Sequence, residues 1–115
     1  MTNAEIVAAA ERAGIPITET SNGLLWIGAV GTIDRSNDSL HGSACAIVAI
    51  LAAFKRDMWS VAIESCNVLD LDVGWIIEWW VMNKQPCEIV MEGATLIETC
   101  LAALVAAYPP EDATP

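Results

Sequence analysis

The chain predicts an α+β fold, an antiparallel sheet carrying three helices in the order α-β-α-β-β-β-α, built as two layers or as an α/β/α sandwich. Three observations predict it. Apolar residues recur at helical spacing in three segments, each preceded by a capping residue. Between them run short stretches that alternate at the period of a strand. Those strands are joined by hairpin-like turns and not by the crossover helices of a doubly wound parallel sheet. At 115 residues, the length fits one domain over residues 1–108, with a flexible tail at 109–115.

The first helix is expected over about Asn3 to Ala13. Thr2 and Glu5 have capping-box spacing, Gly14 supplies the stop, and Pro16 forbids continuation. An extended stretch follows from Leu24 to about Ile33, apolar on both sides of its pleat. The polar run Asp34-Arg35-Ser36-Asn37-Asp38-Ser39 reads as a loop.

It leads into a second helix, about Leu40 to Arg56, with Ser39 or Asp38 as cap and Lys55 and Arg56 at its negative end. This helix is apolar nearly all round, which requires burial between other elements or at a subunit contact. Its apolar run, Ala44 to Phe54, is eleven residues, too short to span a bilayer.

A half-buried strand is expected from Met58 to about Ser65, then one from Trp75 to Met82. A turn at Asn83-Lys84-Gln85-Pro86 returns the chain through Cys87 to Glu92. The last helix runs from about Ala94 to Ala107, with Thr95 and Glu98 at capping-box spacing and Pro109-Pro110 as terminator. The runs Ile47 to Phe54 and Leu101 to Tyr108 are alike, each preceded by a Gly-led strand containing Trp. This hints at two β-β-α halves.

Composition narrows the function classes. Fifteen acidic residues face five basic ones, for a formal charge of −10 and a pI near 4.1. Such a chain repels phosphate backbones and anionic membranes, so direct nucleic-acid and membrane partners are disfavoured. A basic protein partner is favoured; the plainer reading is that acidity keeps an apolar domain in solution. The start, Met1-Thr2-Asn3-Ala4-Glu5, lacks the basic and apolar regions of a secretory signal, so a cytoplasmic location is expected. Cys45, Cys66, Cys87 and Cys100 are far apart and read as small buried hydrophobes.

Catalytic signatures are absent: no phosphate loop, no GxSxG and no HExxH. His41 with Cys66 or Cys87 is the one conceivable nucleophile pair, and His41 and Cys45, four apart, supply two metal ligands without a third. No enzyme activity, cofactor or metal is therefore expected.

Binding surfaces are better represented. In the Trp75–Met82 strand, Trp75, Ile77, Trp79 and Val81 share one side, and Ile76, Glu78, Trp80 and Met82 the other. One side builds the core. The other either packs under a helix layer or meets a partner, for which aromatic and acidic residues suit an Arg-bearing surface. The candidate partner-binding set is Trp75, Ile76, Glu78, Trp80 and Met82, with Asp70 and Asp72 on the preceding loop. A second copy of the chain is the next occupant considered, giving a homo-oligomer, most simply a dimer. An alternative site is the start of the second helix, where Arg35, Ser36, Ser39, His41 and Ser43 lie near free amides able to hold an anionic, nucleotide-like molecule. There Gly42 would admit a ligand, while Asp34 and Asp38 oppose an anion.

The segments Met58-Trp59-Ser60-Val61, Trp75-Ile76-Ile77-Glu78-Trp79-Trp80 and Gly93-Ala94-Thr95-Leu96-Ile97-Glu98-Thr99-Cys100-Leu101-Ala102-Ala103-Leu104 form a Trp-led strand, a Trp-rich strand and a Thr-led closing helix. In that order they resemble small bacteriophage proteins with the phage ABA-sandwich domain, over roughly Ser39 to Tyr108. The extra helix before this region departs from the pattern. The resemblance implies a phage accessory protein and supplies no catalytic residues. Together these readings predict a non-enzymatic acidic accessory protein that inhibits a host or anti-phage-defence protein. The alternatives are a nucleotide-binding sponge and a homo-oligomeric assembly protein.

Overall fold

The computed structural model describes residues 1–28, 30–37, 39–57, 59–66, 74–81, 89–93 and 95–110, with the backbone alone described for 64–66, 74, 76, 78–81 and 89–93. The class is α+β, with three helices and antiparallel strands. The elements run α1 (Asn3–Ala13), β1 (Ile17–Glu19), β2 (Leu25–Ile27), β3 (Gly31–Ile33), α2 (Leu40–Arg56), β4 (Trp59–Cys66), β5 (Gly74–Val81), β6 (Ile89–Gly93) and α3 (Leu96–Ala107). The strands form two antiparallel meanders, β1-β2-β3 and β4-β5-β6.

The first β region therefore holds more than one extended stretch from Leu24. Ile17 pairs with Ile27, and Leu25 with Ile33. The turn between β1 and β2 is Thr20-Ser21-Asn22-Gly23. It is closed by the Thr20 amide donating to the Leu24 carbonyl at 2.8 Å, with Gly23 at a φ of 84°. After α1 the chain thus consists of a three-stranded meander and a helix, twice over. The hint of two β-β-α halves becomes two β-β-β-α units.

Local chemistry places the helix ends. At α1 the Thr2 hydroxyl accepts from the Glu5 amide while Glu5 accepts in return from the Thr2 amide, a complete capping box. The Ser39 hydroxyl accepts from the Gly42 amide at 3.0 Å to start α2. The Thr95 hydroxyl accepts from the Glu98 amide at 3.2 Å to start α3. Here the box stays half-made, because the Glu98 carboxylate is engaged elsewhere.

Of the helices, α3 lies centrally, against α1, α2, β5 and β6, and none of its residues is exposed. α1 covers β1, while α2 lies against β3 and β4. The helices run in the same direction. Arg35 ties the starts of α1 and α3 together, Arg12 near the end of α1 donates to the Tyr108 carbonyl just beyond α3, and Tyr108 donates to Asp57 at the end of α2. Gly42 lets α2 and α3 close near their starts, since a Cβ there would lie 2.9 Å from the Ile97 Cδ1. This gives Gly42 a role in helix packing.

One continuous core joins both meanders. It includes Ile6, Leu25, Ile27, Ile33, Ile50, Phe54, Ile77, Leu101 and Leu104. Among the described residues, no helix is long and apolar enough to cross a membrane.

Candidate interaction surfaces

Ile77 on β5 is fully buried, and Trp75 packs half-buried against the core together with Trp59, Val61 and Ile63 of β4. The Trp75–Ile77 side of the pleat is therefore the core side. Of the expected partner-binding set, Trp75 thus lies half-buried on the core side of the strand.

Ile76, Glu78 and Trp80 occupy the alternate positions of β5. Backbone register aligns Glu64 with Ile76 and Glu92 in one row, Ala62 with Glu78 and Val90 in the next, and Ser60 with Trp80. Acidic and apolar positions thus interleave across all three strands. Met82, Asp70 and Asp72, and the turn at 83–86, lie outside the described residues.

The loop into α2 is built differently from an open anion site. Arg35 donates from Nε to Glu98 Oε2 and from Nη2 to Glu98 Oε1, both at 2.8 Å. Its Nη1 donates to Asn3 Oδ1 at 2.9 Å, and Nη2 also reaches the Met1 carbonyl at 3.1 Å. Asn3 in turn donates to Glu19 and to the Gly23 carbonyl. A guanidinium clamped on a carboxylate is engaged from within, which raises its pKa and leaves little of its charge for a ligand.

The neighbouring groups are occupied as well. Ser36 donates amide and hydroxyl to Asp34, whose pKa these bonds lower. Ser39 caps α2, and Ser43 is buried. His41 is exposed, with Nε2 3.6 Å from the Cys45 sulfur and poised over Gly31. The structure brings Arg35, Ser36, Ser39, His41 and Ser43 into one neighbourhood, yet each has a structural task or an internal neighbour.

Nucleophile candidates fare similarly. His41 contacts buried Cys45, while Cys87 lies outside the described residues. Burial pushes the Cys100 thiol up to about 12, which keeps it protonated near neutrality. Among the described residues, no group of three His, Cys, Asp or Glu could hold a metal ion.

Two exposed apolar features were not singled out from sequence. Trp26 is 47% exposed on β2 between buried Leu25 and Ile27, on the side of its sheet away from the helices. Along α2, Leu40 is 88% exposed, Val48 48% and Leu51 40%. The expectation that this helix is buried holds for one face only, through Cys45, Ala46, Ala49, Ile50 and Ala53. Both faces are apolar, so nothing in the spacing separates them.

Comparison with known proteins gave no lead. No family model, curated protein or solved structure matches the chain.

The charge distribution completes the surface. All three arginines have internal partners: Arg12 the Tyr108 carbonyl, Arg35 Glu98, and Arg56 Asp57. Glu5, Glu11 and Glu19 are exposed. Among the described residues, Glu5, Glu11 and Glu19 are thus displayed, while each arginine, exposed Arg56 included, is paired within the subunit.

Proposed function

We propose that this chain is a non-enzymatic acidic binding protein that docks on a basic surface of a partner protein. The observation carrying this reading is the division of charge: on a chain of net charge −10, each arginine is paired within the subunit, while Glu5, Glu11 and Glu19 are exposed among the described residues. Interleaved acidic and apolar positions on β4, β5 and β6, with Ile76, Glu78 and Trp80 on the central strand, are the candidate contact region. Aromatic and apolar groups exclude water at a contact, and carboxylates beside them orient Arg and Lys.

The resemblance to phage ABA-sandwich proteins extends the proposal to a phage accessory protein acting in the host cytoplasm. There it would inhibit a host or anti-phage-defence protein by covering a basic cleft that otherwise holds nucleic acid. Such an inhibitor needs no active site, only complementary charge and shape.

The test is capture of partners from host lysate with the tagged chain, followed by assay of the purified partner's activity against added chain. The reading predicts a basic partner, inhibited in a saturable and stoichiometric manner. Partners that lack any basic surface, or activity unaffected at saturation, would overturn it.

A further inference from the structure

Beyond the acidic face, the exposed feature with the most defined pattern among the described residues is the outer face of α2. Leu40, Ala44, Val48, Leu51 and Lys55 are all exposed and recur at steps of three or four, forming a straight stripe along the helix. We infer that this stripe is a homodimer contact, in which α2 pairs antiparallel with α2 of a second copy around a twofold axis at Val48.

The choice of a second copy rests on charge and pattern. Residues 40–56 include no Asp or Glu in a chain of net charge −10, and the helix ends in Lys55 and Arg56. Two copies repel each other least across this acid-free face. Among the described residues Lys55 has no ion-pair partner. Antiparallel pairing about Val48 sets it opposite His41 at the other copy's helix start.

The stripe is also self-complementary. Val48 lies midway between Leu40 and Arg56, so a twofold there sets Val48 against its own copy and Ala44 against Ala52. Small Ala44 leaves a hole for Leu51 of the other helix, as a knob enters the gap between residues of a facing helix. Antiparallel helices also oppose their dipoles favourably.

The area sets the strength. The 17 residues of α2 span about 25 Å, and a strip of that length about 10 Å wide is covered on each copy. Over the two copies this comes to about 500 Å², half of the roughly 1,000 Å² of a specific interface, so the pairing is a weak one. A dissociation constant of about several hundred micromolar is therefore expected.

This inference is independent of the basic partner. Salt screens the repulsion between two anionic copies, so self-association strengthens with salt while docking on a basic protein weakens. The test is sedimentation equilibrium of the full chain from about 20 µM to about 2 mM, alongside Val48→Glu, Trp26→Ala and Val48→Cys. Wild type should pass from monomer to dimer. Val48→Glu should raise the dissociation constant about tenfold or more by facing like charges across the axis, with an unchanged circular dichroism spectrum. Trp26→Ala should dimerise like wild type, and Val48→Cys should form an oxidised dimer that wild type does not. A wild type monomeric throughout, a Val48→Glu chain dimerising normally, or a Val48→Cys dimer that fails to cross-link on oxidation would overturn the inference.

Discussion

Replacing Arg35 with Ala removes a side chain that joins the start of α1, the β3–α2 loop and the start of α3. Two charge-assisted hydrogen bonds at 2.8 Å to Glu98 are lost, with the bond to Asn3 at 2.9 Å. A hydrogen bond to a charged group contributes about 1.5–3 kcal/mol when sheltered. Arg35 and Glu98 are 22% and 37% exposed, so solvent screening reduces the pair's share. A net loss of about 1–2 kcal/mol remains. For 115 residues the unfolding entropy is about 0.24 kcal/mol/K, giving a fall of about 4–8 °C in melting temperature.

The assay is thermal unfolding of wild type, Arg35→Ala, Glu98→Gln and the double variant. The two single effects should overlap strongly, since each breaks the same pair. A fall below about 1 °C for Arg35→Ala, or effects that simply add, would refute the clamp. Added nucleotide should leave all four melting curves unmoved. Stabilisation of wild type alone would restore Arg35 to the role of an anion ligand.

Further predictions follow from other parts of the molecule. Gly14→Ala should cost about 1–2 kcal/mol in denaturant unfolding, because the residue stands at a φ of 76° and a Cβ would meet Arg56 Nη1. Trp26→Phe should change stability by under about 1 kcal/mol, whereas Trp59→Ala should cost about 3, since Trp59 stacks on Tyr108 at 5.3 Å and touches Phe54 at 5.4 Å. The reverse order would contradict the packing described. Arg56 and Tyr108 hold the Asp57 carboxyl below its ordinary 3.8, while burial and the bond to Asp57 raise the Tyr108 phenol above its ordinary 10.0. Stability from Asp57 is therefore complete above pH 3.8 and lost as pH falls through the lower folded value; that from Tyr108 is complete below pH 10 and lost as pH rises through the higher folded value. Tyr108→Phe should be less stable than wild type at neutral pH, and the difference should shrink at both extremes. A difference constant across pH would contradict the pairing.

What sequence could reveal depended on the range of the interactions. The bounds of α1 and α2 were legible because their signals are local: Thr2 with Glu5, Gly14, Ser39, and Lys55 with Arg56. β1 was missed because three residues after Pro16 are too short for a periodic pattern. Yet Asn22-Gly23 between Ile17 and Leu25 is a hairpin signal that could have found it. The clamp left no trace, since Arg35 and Glu98 lie 63 positions apart. Capping-box spacing pointed Glu98 toward its own helix start, but the tertiary partner claimed its carboxylate.

The candidate surfaces were legible in part for the same reason. Alternation along β5 put Trp75 and Ile77 on one side of the strand, and the burial of Ile77 was needed to show that this side faces the core. In α2 an apolar residue occupies nearly every position, so only the fold distinguishes buried Ile50 from exposed Val48.

The claim on which the functional account rests is that exposed carboxylates, on a chain whose arginines are paired within the subunit, attract a basic partner. The most direct measurement is the affinity of the chain for its captured, purified partner between about 50 and about 500 mM salt. The account predicts a steep and continuous loss of affinity as screening increases, arising mainly from slower association. An affinity that holds constant over that range would contradict it.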